Sequence, residues 1–240
     1  MVYFRPLREA LLQAREAVSA AARVGHLRAE MNARAAAGRI LFALGDFEPC
    51  RNEHLKAHDL ARRLGALRFE QPCLLFLGRI AHEEGEQQLA VENLRQAEEV
   101  AQRTSLAFHG PMIFGALAFV LDRPDDRRAA LAQAESIIGQ GCVSHNQLWF
   151  YPDAIDVALE LFDFDAAERY VSALEDFTRA EPLPWSDFFV ARGRALIAIA
   201  RGPSDPDIRA ALQRLLQQGE QFGYAMALPA LREPLARVDL

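Results

Sequence analysis

The chain has 240 residues, 51% of them hydrophobic, and a formal net charge of −6. Because it contains no block rich in lysine or arginine, its composition argues against a surface for nucleic acid or for anionic membranes. No apolar run of about 18 residues predicts a membrane span, and residues 1–6 lack the apolar core of a signal peptide. The three cysteines are far apart and odd in number, which favours reduced thiols. We therefore expect a cytoplasmic protein.

Two stretches of the chain resemble each other at a spacing of about 40 residues. Gly78-Arg79-Ile80 repeats Gly38-Arg39-Ile40, and Gly85 repeats Gly45. Self-similarity at one fixed spacing is typical of an array of helical repeats. Alanine is abundant and alternating β-branched residues are missing, so the repeats are predicted to be helical.

The predicted elements form one array over residues 1–240, in which each repeat is a pair of helices, A and B. The array begins with a half repeat at 7–24. Helix pairs follow at 27–64, 70–103, 108–139, 146–179 and 186–221, and a closing helix at 224–237. Because the first helix matches the second half of a unit and is rich in Ala and Leu, a fragment of a longer protein is favoured over a natural cap, which tends to show a polar outer face. Exposed apolar surface at this end predicts a possible homodimer.

Glycines and prolines recur in helices A. Gly38, Gly78 and Gly115 share one phase, although a glycine inside a helix costs about 1 kcal/mol relative to alanine. They are predicted to let helix A approach its partner helix B closely. Prolines at 72, 111 and 152 are predicted near the start of each helix A, where the missing N–H is not needed. Pro152 alternatively kinks a longer helix.

The best-defined unit reads Leu77-Gly78-x-x-Ala81-x-x-x-Gly85, followed by Ala90, Leu94 and Ala97. This pattern resembles the tetratricopeptide repeat, which implies a right-handed α-solenoid with helices A lining a concave groove. The chain departs from the family in its longer period, in lacking the signature tryptophan, and in having no matching glycine in helix A of the fourth and fifth repeats.

A second likeness lies in the last third of the chain. Ala167-x-x-Tyr170-x-x-Ala173 and the stretch 181–196 resemble the carboxy-terminal repeats of bacterial adenylate/guanylate cyclases, which follow a cyclase domain and an AAA-type ATPase domain. The tail of maltose-activator-like transcription regulators is similar. The first likeness implies a protein–protein interaction or autoregulatory module of a signalling protein. The alternative is a small-molecule or peptide sensor module of a transcription regulator.

Catalytic motifs are absent from the sequence: it has neither a phosphate-binding Gly-x-x-x-x-Gly-Lys-Ser/Thr loop nor a Gly-x-Ser-x-Gly elbow. His54 and His58 have a spacing that can bind a metal, but the glutamate of a zincin is missing. The carboxylates of Asp153, Asp156 and Glu160 are interpreted as a solvated acidic face. We therefore expect no enzyme, no cofactor and no metal.

The candidate groove follows from the register of helices A in the family. It comprises Asn32, Arg39, Phe42, Leu75, Arg79, His82, Glu83, His109, Met112, Phe119, Trp149, Asp156, Glu160, Phe189 and Arg192. Arg39 and Arg79 have the same phase and can hold a carboxylate of a bound peptide, or make ordinary ion pairs. A broad open groove would indicate a protein partner, whereas an enclosed pocket would indicate a sensor.

Overall fold

The computed structural model describes residues 3–202 and 206–238, and in these residues it contains helices and no strand. The α-helices are α1 (Leu7–Arg23), α2 (Leu27–Ala43), α3 (Phe47–Arg63), α4 (Glu70–Glu83), α5 (Gln87–Thr104), α6 (Leu106–Val120), α7 (Pro124–Gln140), α8 (His145–Glu160), α9 (Phe164–Thr178), α10 (Pro184–Arg201), α11 (Pro206–Phe222) and α12 (Pro229–Val238). Two short 3-10 helices, η1 (Leu67–Phe69) and η2 (Ala225–Ala227), precede α4 and α12. The all-α class is confirmed. Residues 203–205, which fall within the helix pair predicted at 186–221, lie outside the described residues.

The helices pack in the order of the chain. Each contacts its sequence neighbours, and α2, α4, α6, α8, α10 and α12 also contact one another in series. The helices A therefore form one layer and the helices B another, with a continuous apolar core between them. The right-handed sense of the array stays a prediction.

Several of the turns between helices use a residue with a left-handed backbone conformation. Gly45 has φ +75° and Gly85 has φ +79°, which cost a glycine little. At the turn between α8 and α9 the same position is taken by Phe162, with φ +56°. The Asp163 N–H donates to the carbonyl of Ala158 at 2.9 Å across this turn, as in a glycine-capped helix. The helix ending is thus preserved where the glycine is not.

Two of the helix-A glycines make the predicted contact with helix B. A Cβ on Gly78 would lie 2.7 Å from Cγ of Leu94, and one on Gly38 would lie 2.5 Å from Nε2 of His54. Both distances are too short for a side chain, so the prediction is confirmed for the first two repeats.

The prediction is wrong for the third glycine. A Cβ on Gly115 would lie 3.2 Å from Phe150 and 3.3 Å from Oδ2 of Asp153, both on α8, the next helix A. The fifth repeat does contain a close-packed glycine, Gly193, which faces Val171 of the preceding helix B. The close-packed glycines of helices A therefore contact different neighbours along the array: their own helix B in the first two repeats, the next helix A in the third, and the preceding helix B in the fifth.

Two of the three prolines, Pro111 and Pro152, lie deeper in their helices than a first-turn position. Pro72 lies in the first turn of α4, but Pro111 is inside α6. A proline cannot donate to the carbonyl four residues earlier, here that of Ala107. The N–H of Val143 and the side-chain amide of Asn146 donate to this oxygen instead, at 3.0 and 3.3 Å. The carbonyl that proline leaves without its helical donor thus accepts hydrogen bonds from the segment that leads into the next repeat.

The two ends of the array meet. A Cβ on Gly223 would lie 2.8 Å from Leu44 and 3.5 Å from Leu7, and one on Gly45 would lie 3.5 Å from Ala225. The closing segment differs from the prediction, because η2 forms first and α12 begins only at residue 229. We call this junction between α1–α2 and η2 the seam.

The first helix hides its apolar side within the chain. Leu7 and Ala10 are fully buried, and Leu11 and Ala14 are nearly so. The apolar surface on which the homodimer prediction rested is therefore covered in part, while Leu12 of the same helix is 62% exposed, and the homodimer stays a prediction.

Two further sequence expectations concern membranes and thiols. Within the described part of the chain, no helix combines the length and apolar character that crossing a membrane requires. Cys50 and Cys73 are buried and Cys142 is partly buried, all as free thiols. Burial raises the pKa of the Cys50 and Cys73 thiols to about 12, so they are poor nucleophiles.

Candidate ligand-binding pocket

The inner faces of α2, α4, α6, α8 and α10 converge on a pocket that the seam segment closes. About 90 Å³ is available in it to the centre of a water molecule, which is room for several waters or a small organic group. The predicted groove residues that line it are Phe42, Arg79, His82, Glu83, Phe119, Trp149, Asp156 and Phe189. We call this space the central pocket.

Aromatic rings form one wall of the central pocket. The ring of Trp185 lies 5.0 Å from that of Trp149, 4.7 Å from Phe189 and 5.2 Å from Tyr224. These distances are those of offset and edge-to-face pairs, which stabilise a fixed arrangement of the rings. The wall offers flat apolar surface to a ligand.

A proline orients this wall. Pro152 is inside α8, as the alternative prediction had it, and leaves the carbonyl of Leu148 without its helical donor. The indole N–H of Trp185 donates to that oxygen at 2.9 Å. The indole N–H of Trp149 donates to the hydroxyl of Tyr3 at 3.0 Å. Both tryptophans are therefore held by a hydrogen bond as well as by packing.

A buried ion pair lies beside the aromatic wall. Arg79 bonds to Asp153, and its guanidinium lies 5.4 Å from the ring of Phe42 and 5.6 Å from that of Trp149. Burial raises the pKa of Asp153 to about 6, and Arg79 opposes this rise. The second carboxylate oxygen of Asp153 has no partner in the described chain.

A second ion pair fixes the closing segment. Arg192 is buried and binds Asp156 through two hydrogen bonds of 2.7 and 3.2 Å. Its Nε–H donates to the carbonyl of Ala227 in η2 at 3.2 Å. Arg192 thus ties the seam segment to α8 and α10, and it supports the pocket without lining it. The interpretation of Asp153 and Asp156 as a solvated face is wrong, because both face the pocket and pair with arginines.

The mouth of the pocket carries polar groups. Glu83 lines the pocket and is also exposed to solvent, which puts it at the mouth. Desolvation by the surrounding walls raises the pKa of its carboxyl, and His82 and Arg79 oppose the rise. The His82 ring meets Phe119 edge-on at 5.4 Å and contacts Gln87 through Nδ1 at 3.2 Å.

The remaining predicted groove residues lie elsewhere. Leu75, Met112 and His109 are buried in the core, whereas Asn32 is exposed. Glu160 is exposed and pairs with Arg127. The prediction is wrong for the three buried residues, because helical register gives the face of a helix but not the depth of a side chain. For the exposed Asn32 and Glu160, which do not line the central pocket, a place in a partner-binding groove stays a prediction.

The sequence prediction also missed part of the lining. Asp153 and Trp185 lie four residues from Trp149 and Phe189, so extending the register by one turn would have found them. Tyr224 and Met226 line the pocket from the seam segment. No periodic signal indicates them, since they reach the pocket only because the array closes.

Metal binding finds no support among the described residues, where no group of three His, Cys, Asp or Glu side chains could hold an ion. His54 is fully buried and stacks on Phe76 at 5.0 Å, while His58 contacts Glu70 at 3.2 Å. The two histidines of the predicted pair therefore have separate surroundings.

Comparisons with known proteins add little. No protein family matches the chain, and no curated protein is similar to it in sequence. Among solved structures, the chain is similar to the crystal structure of BtubC (BKLC) from P. vanneervenii, with 14% identity, a TM-score of 0.41, and coverage of 97% of this chain and 91% of that one. This likeness is too distant to carry an argument about family or function. Membership of the tetratricopeptide repeats and the link to a cyclase stay predictions.

Proposed function

We propose that the chain is a sensor module that binds a small organic molecule in the central pocket. The observation that supports this is the convergence of the inner helices and the seam segment on one partly enclosed, aromatic-lined pocket. Binding sites for small molecules are typically concave and apolar, with a few polar groups that fix orientation. Binding without catalysis and a cytoplasmic location are parts of the same proposal.

The chemistry of the walls indicates the kind of ligand. Trp149, Trp185 and Phe189 offer faces for a flat apolar or aromatic body. Glu83 at the mouth and the partly exposed Asp156 offer oxygen acceptors to a donor group of the ligand. We therefore expect a compact aromatic compound that carries a hydrogen-bond donor, such as an indole or an aromatic amine.

The two tryptophans of the chain, Trp149 and Trp185, both line the pocket, so intrinsic fluorescence reports on it directly. We expect indole, phenol or aniline derivatives to change this emission and to raise the melting temperature. The variant Ala116→Phe fills the pocket from α6 and should abolish both effects. Ala129→Phe adds the same ring at an exposed position and should leave them unchanged. Equal binding by both variants, or no response to any compound, would contradict the proposal.

A peptide is the second candidate ligand, because a segment of the chain itself already contacts the aromatic wall. The ring of Tyr3 meets the ring of Trp185 at 5.9 Å. The backbone carbonyl of Tyr3 accepts a hydrogen bond from the backbone N–H of Trp185 at 3.4 Å. Short peptides with a central tyrosine or tryptophan test this candidate in the same fluorescence assay. If they bind in the central pocket, Ala116→Phe should abolish their binding as well, whereas Ala129→Phe should leave it unchanged. An interaction surface for a whole protein, elsewhere on the array, stays a prediction from the sequence.

A further inference from the structure

A second group of polar side chains lies one helical turn from the central pocket. Arg39 precedes Ala43 of the pocket by four residues on α2, and His145 precedes Trp149 by four residues on α8. The ring of His109, on the intervening helix α6, lies 4.8 Å from that of His145. We call His54, His109 and His145 the histidine cluster.

Arg39 differs from Arg34, Arg79 and Arg192 in having no acidic partner among the described residues. Arg34 binds two glutamates, and Arg79 and Arg192 each bind an aspartate. Arg39 makes no hydrogen bond or ion pair with the described residues, and its Nε–H is buried without an acceptor. A buried donor on a charged group is costly to leave unpaired, so its presence needs an explanation.

The rings beside Arg39 are also without partners. His54 and His109 are almost fully buried, and neither ring nitrogen of either residue has a hydrogen-bond partner in the described chain. Nε2 of His145 is buried and unpartnered too. Three rings and the Nε–H of Arg39 thus lack hydrogen-bond partners among the described residues, and two of these rings, His109 and His145, lie in contact.

Electrostatics agrees with this geometry. Burial lowers the pKa of His54 to about 3 and of His145 to about 4, and that of His109 lies well below its ordinary value. The positive charge of Arg39 acts on all three rings and lowers their pKa values further. At neutral pH each ring is uncharged and carries one N–H donor, so the region has one uncompensated positive charge.

We propose that Arg39, together with the ring N–H groups of His109 and His145, binds an oxyanion, that is, a carboxylate or a phosphate group. Arginine is suited to such groups because its N–H fork matches two oxygens at once. The anion would supply the missing negative charge and would accept the donors that the chain leaves unpaired. The site is separate from the central pocket and does not depend on what that pocket binds.

The test uses the full chain with two probes, inorganic phosphate and acetate, at constant ionic strength set with sodium chloride. Ring ¹H–¹⁵N spectra resolve the six histidines of the chain. We expect at least one probe to shift the signals of His109 and His145 and to leave the exposed His26 unchanged. A response to acetate alone would identify a carboxylate ligand, and one to phosphate alone a phosphate ligand.

Two variants with the same change of charge on α2 separate a site from a bulk effect. Arg39→Gln should weaken binding roughly tenfold or more, because charged hydrogen bonds are lost. Arg28→Gln, at an exposed position of the same helix, should bind as the wild type does. Without anion, Arg39→Gln should melt at the same temperature as the wild type or higher, since an uncompensated charge has been removed.

The proposal fails if neither probe shifts His109 or His145, if both variants bind equally, or if all six histidines respond alike. It also fails if Arg39→Gln lowers the melting temperature by several degrees in the absence of anion, because Arg39 would then have a structural partner. Circular dichroism of each variant checks that the helices are intact.

Discussion

The central pocket and the histidine cluster lie one turn apart, yet the arginine of the pocket has an acidic partner and the arginine beside the cluster has none in the described chain. In the pocket, Arg79 is neutralised by Asp153 and stacked between aromatic rings. Beside the cluster, Arg39 occupies the equivalent position of the preceding repeat and has no such partner. The partner of Arg79 comes from α8, two helices A further along, where the repeat has lost its regular pattern. A repeat therefore fixes the position of a side chain, while its electrostatic environment depends on non-equivalent helices.

Lowering the pH should reduce the free energy of unfolding mainly through the histidine cluster. The folded-state pKa values of the three rings lie below the unfolded value of about 6.5, so the unfolded chain binds more protons once the pH falls below that value. Their contribution to stability is complete at neutral pH and is lost as the pH falls. Asp153, with its pKa raised to about 6, acts in the opposite sense between about pH 6 and 4. We expect a net loss of about 4 kcal/mol between pH 7 and 5.

Urea unfolding at pH 7, 6 and 5 measures this loss. In His54→Leu the dependence on pH should be weaker by about one proton, because one buried ring has been removed. His26→Gln, at an exposed position, is the matched control and should keep the wild-type dependence. A stability that does not change over this range would show that the rings are solvated.

Removing Asp153 should make Arg79 resemble Arg39. Asp153→Ala leaves a mostly buried guanidinium without its partner, and we expect a loss of about 3 kcal/mol in the free energy of unfolding. The double variant Arg79→Met/Asp153→Leu removes both charges and should recover most of that loss. Equal instability of the single and double variants would mean that packing, and not the charge, is responsible. Urea unfolding of the three proteins gives the answer.

Gly115 sharpens the comparison because it makes room for Asp153. A methyl group there would press on Phe150 and on the Asp153 carboxylate, so Gly115→Ala should destabilise the fold by about 1 kcal/mol despite a better helix propensity. Gly139→Ala is a matched control, since nothing lies within 4 Å of its Cβ position, and it should be neutral or stabilising. Thermal melting measures both effects. An equal change of melting temperature in the two variants would mean that close packing at Gly115 does not determine its stability.

The smallest effect concerns a turn that lies outside both regions. Phe162 is 80% exposed and has a left-handed backbone, so Phe162→Gly should relieve strain at little cost in burial and gain about 0.5 kcal/mol. The reverse change, Gly85→Ala, meets no steric obstacle but keeps φ +79°, and should cost about 1 kcal/mol. If Phe162→Gly melts lower than the wild type, the phenyl ring makes a contact that outweighs the strain.

The sequence predicts the helix pairs well and the site only in part. Residues 70–103 were predicted as one pair, and α4 and α5 cover 70–83 and 87–104, because Gly85 marks the turn. The face of α4 that carries Arg79 was also predicted from register. The partnership of Arg79 with Asp153 was not, since it joins residues 74 apart in the chain. Tyr224 was missed because curvature of the array, which brings it to the pocket, is the sum of many small packing angles.

The seam changes how the terminal units of this array are expected to unfold. An open array of repeats behaves as a one-dimensional chain whose terminal units melt first, each losing only one neighbour. Here the contacts of Gly223 and Ala225 with Leu44 and Gly45 give the first and last units a neighbour on both sides. The first and last units therefore pack on each other, and we expect neither to unfold ahead of the rest of the array.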